Sequence, residues 1–103
     1  MRFINCTPHN VVLNNGTVIE KTGTIARVSS RYTEFDKDGI CHVEFGEITG
    51  LPEPEEGVVY IVSGMVAAAA KNRTDVVAPA TGHPQCVRND QGQIVSVPGF
   101  VRN

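Results

Sequence analysis

Five consecutive residues, Val58-Val59-Tyr60-Ile61-Val62, constrain this chain more than any other feature. Alternate side chains of a strand point to opposite faces of its sheet. A run that is apolar on both sets of positions therefore predicts a central strand covered on both sides. Ser63-Gly64 follows, and residues 65–72 carry four alanines in a row, the best of the helix formers. Ser63 suits the helix N-cap, and Lys71 and Arg73 suit the negative end of the helix dipole. Val76-Val77-Ala78-Pro79 then reads as a second buried strand. Strand, helix and strand in so short a space is either a compact βαβ unit or a unit with an antiparallel return. A parallel return needs a crossover of about a dozen residues, which this segment barely supplies.

The rest of the chain reads as short strands and tight turns. Val11-Val12-Leu13 and Thr17-Val18-Ile19 flank Asn14-Asn15-Gly16, where Asn-Gly supports the positive φ angles of a hairpin turn. Residues 24–28 form a third β-rich run. Asp38-Gly39 separates 32–35 from 40–45, and the second of these alternates in the manner of a half-buried antiparallel strand. A last hairpin is predicted from 85–88 and 93–97 around Asn89-Asp90-Gln91-Gly92, with Phe100-Val101 adding a short edge pairing. Between the halves, Leu51-Pro52-Glu53-Pro54-Glu55-Glu56-Gly57 is excluded from helix and strand interiors by its prolines, leaving a stiff acidic connector.

Length makes that connector an internal loop. The chain has 103 residues, and half of that on either side is too little for two independent cores, so residues 1–103 are expected to form one domain. The predicted class is α/β (α+β): a mixed, mostly antiparallel sheet of short strands with one short alanine-rich helix packed against it. Nine basic against eleven acidic side chains leave a net charge of −2, and there is no Trp. This balance argues against nucleic-acid binding, which depends on clustered Lys and Arg. No run of apolar residues is long enough to span a membrane. The start, Met1-Arg2-Phe3-Ile4-Asn5, lacks the apolar core of a signal peptide. With an odd number of cysteines, three, the thiols are expected to stay reduced in the cytoplasm.

Three places can carry chemistry. Ser63-Gly64 is a strand-to-helix turn with free backbone N–H groups, suited to an anion or to the ordinary role of a capped turn. Thr81-Gly82-His83 offers a hydroxyl, an amide and an imidazole after an apolar strand, or else a rigid turn bounded by prolines. Asn5-Cys6-Thr7-Pro8-His9-Asn10 brings His9, while Asn5 and Thr7 fit Asx and Ser/Thr turns without any function. Arg73 stands with Arg27, Arg31 and Arg88 as an anion partner, because a guanidinium presents a bidentate fork. The C-x-x-H pair Cys6/His9, the adjacent Cys41-His42 and the H-x-x-C pair His83/Cys86 invite a zinc reading. Neighbours on a strand point apart, however, and free cysteines are commonly core residues, so neither metal nor cofactor is expected. There is no Walker loop, dinucleotide fingerprint or nucleophile elbow.

Asn5-x-Thr7-Pro8-His9, Phe45-Gly46-Glu47, Gly50-Leu51-Pro52-Glu53-Pro54, the stretch from Gly57 to Ser63 and that from Val87 to Ile94 together resemble a group of short bacteriophage, prophage and bacterial proteins that open with Asn-Leu-Thr-Pro-His. The likeness covers nearly the whole chain, with Cys6 standing where the group has an apolar residue. It implies a setting and not a mechanism: small phage accessory proteins counter host immunity, some by capturing nucleotide-derived signals and others by blocking a defence protein. The expectation accordingly leans to a binding protein over an enzyme. It would sequester a phosphorylated or nucleotide-like small molecule, as a homo-oligomer, with Thr7, His9, Ser63, Gly64, Arg73, Thr81, Gly82 and His83 at the pocket. The rivals are an inhibitor of a host protein that uses the acidic loop 52–56, and a small hydrolase with His9 or His83 as general base.

Overall fold

The computed structural model describes residues 1–102. Four strands make the central sheet: β1 (Arg2–Asn5), β6 (Val58–Ile61), β7 (Val76–Pro79) and β10 (Phe100–Val101), side by side in the order β1-β6-β7-β10. The inner pairs β1/β6 and β6/β7 are parallel, and β10 closes the edge antiparallel to β7. Three antiparallel pairs surround it: β2 (Val11–Val12) with β3 (Val18–Ile19), β4 (Arg27–Tyr32) with β5 (Val43–Thr49), and β8 (Val87–Arg88) with β9 (Ile94–Ser96). The molecule is thus mostly strands with one short helix, and its sheets are mixed. Sequence reading expected a single, mostly antiparallel sheet. The antiparallel pairing lies instead in the separate hairpins, and the centre of the main sheet is parallel.

Every residue of β6 is buried. Val58 and Tyr60, with the following Val62, face a core built with Val66, Ala67 and Ala70 of the helical segment. Val59 and Ile61 face a second core with Val11, Val77 and Val97. The continuous apolar run is therefore a strand covered on both faces. From opposite edges of the sheet the rings of Phe3 and Phe100 meet with centroids 5.1 Å apart.

Helix α1 (Gly64–Ala69) spans the crossover. Ser63 is its N-cap, accepting the Val66 N–H at 3.3 Å. The helix stops earlier than expected, with Ala70 as C-cap and no basic residue in its last turn, so Lys71 and Arg73 do not neutralise its dipole. Ala67 is buried beneath the helix, where a small side chain lets it approach the sheet closely. The segment 62–75 proves long enough for the parallel return.

The hairpin turns form at Gly16 (φ 91°) and Gly39 (φ 80°), as Asn-Gly and Asp-Gly predict. The β4–β5 hairpin departs from expectation in another way. Its strand 43–49 is almost wholly exposed, where alternation suggested a half-buried one. No helix among the described residues is long and apolar enough to cross a membrane.

Candidate ligand cleft at the carboxyl edge of the parallel strands

Because β1, β6 and β7 run parallel, the segments that follow them emerge at one edge of the sheet. In open parallel sheets this is the edge where ligands bind. Here it carries Thr7, Pro8 and His9 after β1, Ser63 and Gly64 after β6, and Thr81 after β7. All of them line one cleft of about 510 Å³. Its remaining wall comes from Asn10, from Val11 and Val12 of β2, from Pro79 at the end of β7, and from Ile94, Val95, Ser96 and Val97 at the end of the last hairpin.

The entry loop is built from Asn5, which is fully buried. Its carboxamide donates to the His9 carbonyl at 2.9 Å and to the Ile19 carbonyl at 3.0 Å, and its oxygen accepts the Thr7 N–H at 3.0 Å. The Thr7 hydroxyl lies 2.6 Å from that same oxygen and 2.9 Å from the His9 carbonyl, so its single proton is committed within the loop. Asn5-x-Thr7-Pro8-His9 is thus an architectural motif. Thr7 shapes the cleft wall, and the His9 imidazole is left with no hydrogen-bond partner among the described residues.

The polar groups that remain free are mostly donors. The Ser63 oxygen takes the Val66 N–H as acceptor, which leaves its own proton available. Gly64 is exposed, and a Cβ built on it meets nothing within 4 Å, so the backbone there is open to an approaching molecule. The Thr81 hydroxyl is unengaged, while its N–H bonds the Pro79 carbonyl and its carbonyl accepts from Arg88 at 3.0 Å. Asn10 accepts the Lys21 N–H through its side-chain oxygen. The floor is apolar, and Ile94 and Val95 are about half exposed in it. No Lys, Arg, Asp or Glu lines the cleft, and His9 brings its one imidazole.

Of the eight residues singled out from sequence, Thr7, His9, Ser63, Gly64 and Thr81 come together. Gly82 and His83 are exposed in the adjoining turn and do not line the cleft. The His83 Nδ1 accepts the Gln85 N–H at 3.0 Å, an occupation that fixes the turn and leaves that nitrogen unable to act as a base. Arg73 must be corrected outright. It precedes β7, at the opposite end of that strand from Thr81. There it forms a fork on Asp75 with bonds of 2.7 and 2.8 Å, bonds the Pro52 carbonyl at 2.9 Å, and lies 6.0 Å from the centre of the Tyr60 ring. Its hydrogen bond to Asp75 holds the guanidinium charged and draws the carboxyl below the ordinary carboxylate range. This arginine pins the acidic connector to the sheet and offers nothing to an anion at the other edge.

Sequence reading missed the wall from Ile94 to Val97. Its signal was a second apolar pair, Ile94-Val95, inside a strand otherwise read as part of a surface hairpin. Cys6 is buried in the helix-side core, and desolvation pushes its thiol pKa up. Among the described residues no three His, Cys, Asp or Glu side chains converge as metal ligands would, and no hydrogen bond joins an imidazole to a carboxylate or hydroxyl. Compared with known proteins, the chain matches no family model, no curated protein and no solved structure.

Proposed function

We propose that the protein is a binding protein that sequesters a small nucleotide-derived molecule at the carboxyl edge of its parallel strands. One observation carries the reading: three loops, each following a different parallel strand, surround a single cleft of about 510 Å³, a size suited to a ligand of a few hundred daltons. The apolar floor suits a planar base, and the donors at Ser63, Gly64 and Thr81 suit phosphate or sugar oxygens. With no Lys or Arg in the lining, a phosphate is met by hydrogen bonds alone, the His9 imidazole among the groups that can make them, which favours a ligand of low charge such as a monophosphate or a cyclic phosphodiester. The resemblance to short phage and prophage proteins supports a role in capturing an immune signal of the bacterial host.

Native mass spectrometry of the protein purified from infected or immune-activated bacteria tests this. A retained phosphorus-containing adduct of a few hundred daltons is the expected result. A bare polypeptide mass from every such culture, with no binding to a panel of nucleosides and nucleotides, removes the reading.

A second reading rests on the connector. Arg73 holds the Pro52 carbonyl and the Tyr60 hydroxyl donates to the Glu53 carbonyl at 2.9 Å, so exposed Glu55 and Glu56 are presented on an anchored loop. An acidic contact for a basic surface of a host protein fits that geometry. Capture of one host protein that Glu55→Lys with Glu56→Lys abolishes distinguishes this reading from the first.

A further inference from the structure

We infer that the cleft selects a nucleotide by its base and that Asn10 reads that base. It favours a base whose edge presents acceptors, as guanine does, over one that presents an amino group, as adenine does. This rests on the nucleotide reading of the cleft given above and goes beyond it by naming the base. Asn10 lines the cleft immediately before Val11 and Val12. It therefore stands beside the apolar floor, to which Val12, Ile94 and Val95 each offer a partly exposed side chain. An amide there is placed to meet the edge of a ring lying on that floor.

A carboxamide is ordinarily two-faced, its oxygen accepting and its nitrogen donating. Here the backbone makes the choice. The Asn10 Oδ1 accepts the Lys21 N–H at 2.9 Å, and Lys21 lies outside the lining. The oxygen is thus turned toward Lys21. The Nδ2 group, which has no acceptor among the described residues, is the part of the amide left for the cleft. Rotating the amide to offer its oxygen would set the Nδ2 protons against the Lys21 N–H, donor to donor.

The rest of the lining has the same bias. The carbonyls of His9, Val12, Ser63, Pro79 and Val97 each already accept an N–H within the protein. The Ser63 hydroxyl oxygen is likewise engaged, leaving its proton. An imidazole carries both a donor and an acceptor, so His9 suits either base. Guanine presents two adjacent acceptors, O6 and N7, whereas adenine sets its N6 amino group beside N7. Guanine on the floor gives the Asn10 amino group its missing acceptor. Adenine in the same place opposes two amino groups and leaves both unpaired where the ligand shuts out water, a mismatch that hydrogen-bonding sites reject.

Titration calorimetry of the full chain with guanosine, inosine and adenosine 5′-monophosphates tests the inference. Inosine keeps O6 and N7 and lacks the guanine 2-amino group, so it isolates the reading of that edge. The guanosine and inosine nucleotides are expected to bind alike, and the adenosine nucleotide about tenfold or more weaker. Asn10→Asp keeps an oxygen for the Lys21 N–H and presents another to the cleft. The ratio of guanosine to adenosine nucleotide affinity is therefore expected to fall in this variant, and a ratio cancels the repulsion between the new carboxylate and either phosphate. Asn10 is exposed, so the substitution removes no core packing. Should the variant fail to fold, the wild-type affinities decide. An adenosine nucleotide bound as tightly as the guanosine one, or a ratio unchanged in Asn10→Asp, overturns the inference and leaves the cleft reading in place. No binding by any of these nucleotides overturns both.

Discussion

The buried Asn5 side-chain oxygen lies 3.0 Å from the Thr7 backbone nitrogen and 2.6 Å from the Thr7 hydroxyl, and this pair shapes one wall of the cleft. Asn5 has no remaining capacity for a ligand, since its amide protons go to the carbonyls of His9 and Ile19. Asn5→Ala removes four hydrogen bonds from this part-buried loop, those to the His9 and Ile19 carbonyls and those from the Thr7 N–H and hydroxyl, and is expected to cost about 2–3 kcal/mol in denaturant unfolding. Thr7→Ala should cost less, about 1 kcal/mol, because the Asn5 bonds to backbone survive.

The Arg73–Asp75 fork predicts a pH dependence. The Asp75 carboxyl titrates lower in the folded protein than in the unfolded chain, mainly through its hydrogen bond to Arg73. Its contribution to stability is therefore present above the unfolded value and is lost as pH falls through the folded one, in the range below about 4. Asp75→Asn should destabilise the protein at pH 7 by about 1–3 kcal/mol and flatten the acid limb of the stability curve. An acid limb identical to that of the wild type would show that the pair carries no such linkage. Ligand binding at the far edge should be unchanged in Asp75→Asn, which separates the staple from the site.

Central packing gives a direct stability test. Val59 is 8% exposed on β6 within the second core. Val59→Ala is expected to cost about 1–3 kcal/mol through lost burial and a residual cavity, measured as a shift of the urea midpoint at constant slope.

Gly50 joins β5 to the connector with φ +78°, and a Cβ there collides with the Ile25 carbonyl. Both a strained dihedral and a backbone clash follow from Gly50→Ala, with an expected loss of about 1–3 kcal/mol. Gly64→Ala, whose Cβ meets open space, should change stability by less than about 1 kcal/mol, and comparison of the two melting curves checks the contrast.

Much of this architecture is legible locally. Asn15-Gly16 and Asp38-Gly39 mark their turns, the Val58–Val62 run marks a strand with two covered faces, and Ser63 marks a helix start. These signals are short-range: a positive φ, a β-branched run, an oxygen positioned for an N–H. Arg73 was misplaced because its residue type suits an anion and a carboxylate equally, and only the fold brings Asp75 and Pro52 to it. The pairing of Arg2–Asn5 with Val58–Ile61 is non-local, and no residue within either strand specifies the other. Alternation in 40–45 correctly marked one apolar face on the second hairpin, yet periodicity does not say what covers a face, and within one chain nothing covers the outer part of this one. The cleft shared both outcomes. Its loops stood out individually, and their convergence depended on the parallel return of β7.

Titration calorimetry with a nucleoside 5′-monophosphate, comparing the wild type with Gly64→Val and Thr81→Ala, tests the cleft most directly. The account predicts binding by the wild type and its loss in Gly64→Val, whose side chain fills the open approach to the backbone while the fold is retained. It predicts binding by Thr81→Ala weakened by about 1–2 kcal/mol, the worth of one hydrogen bond to a charged group. Equal heats and affinities for the wild type and Gly64→Val, or no binding by any of the three proteins, would contradict it.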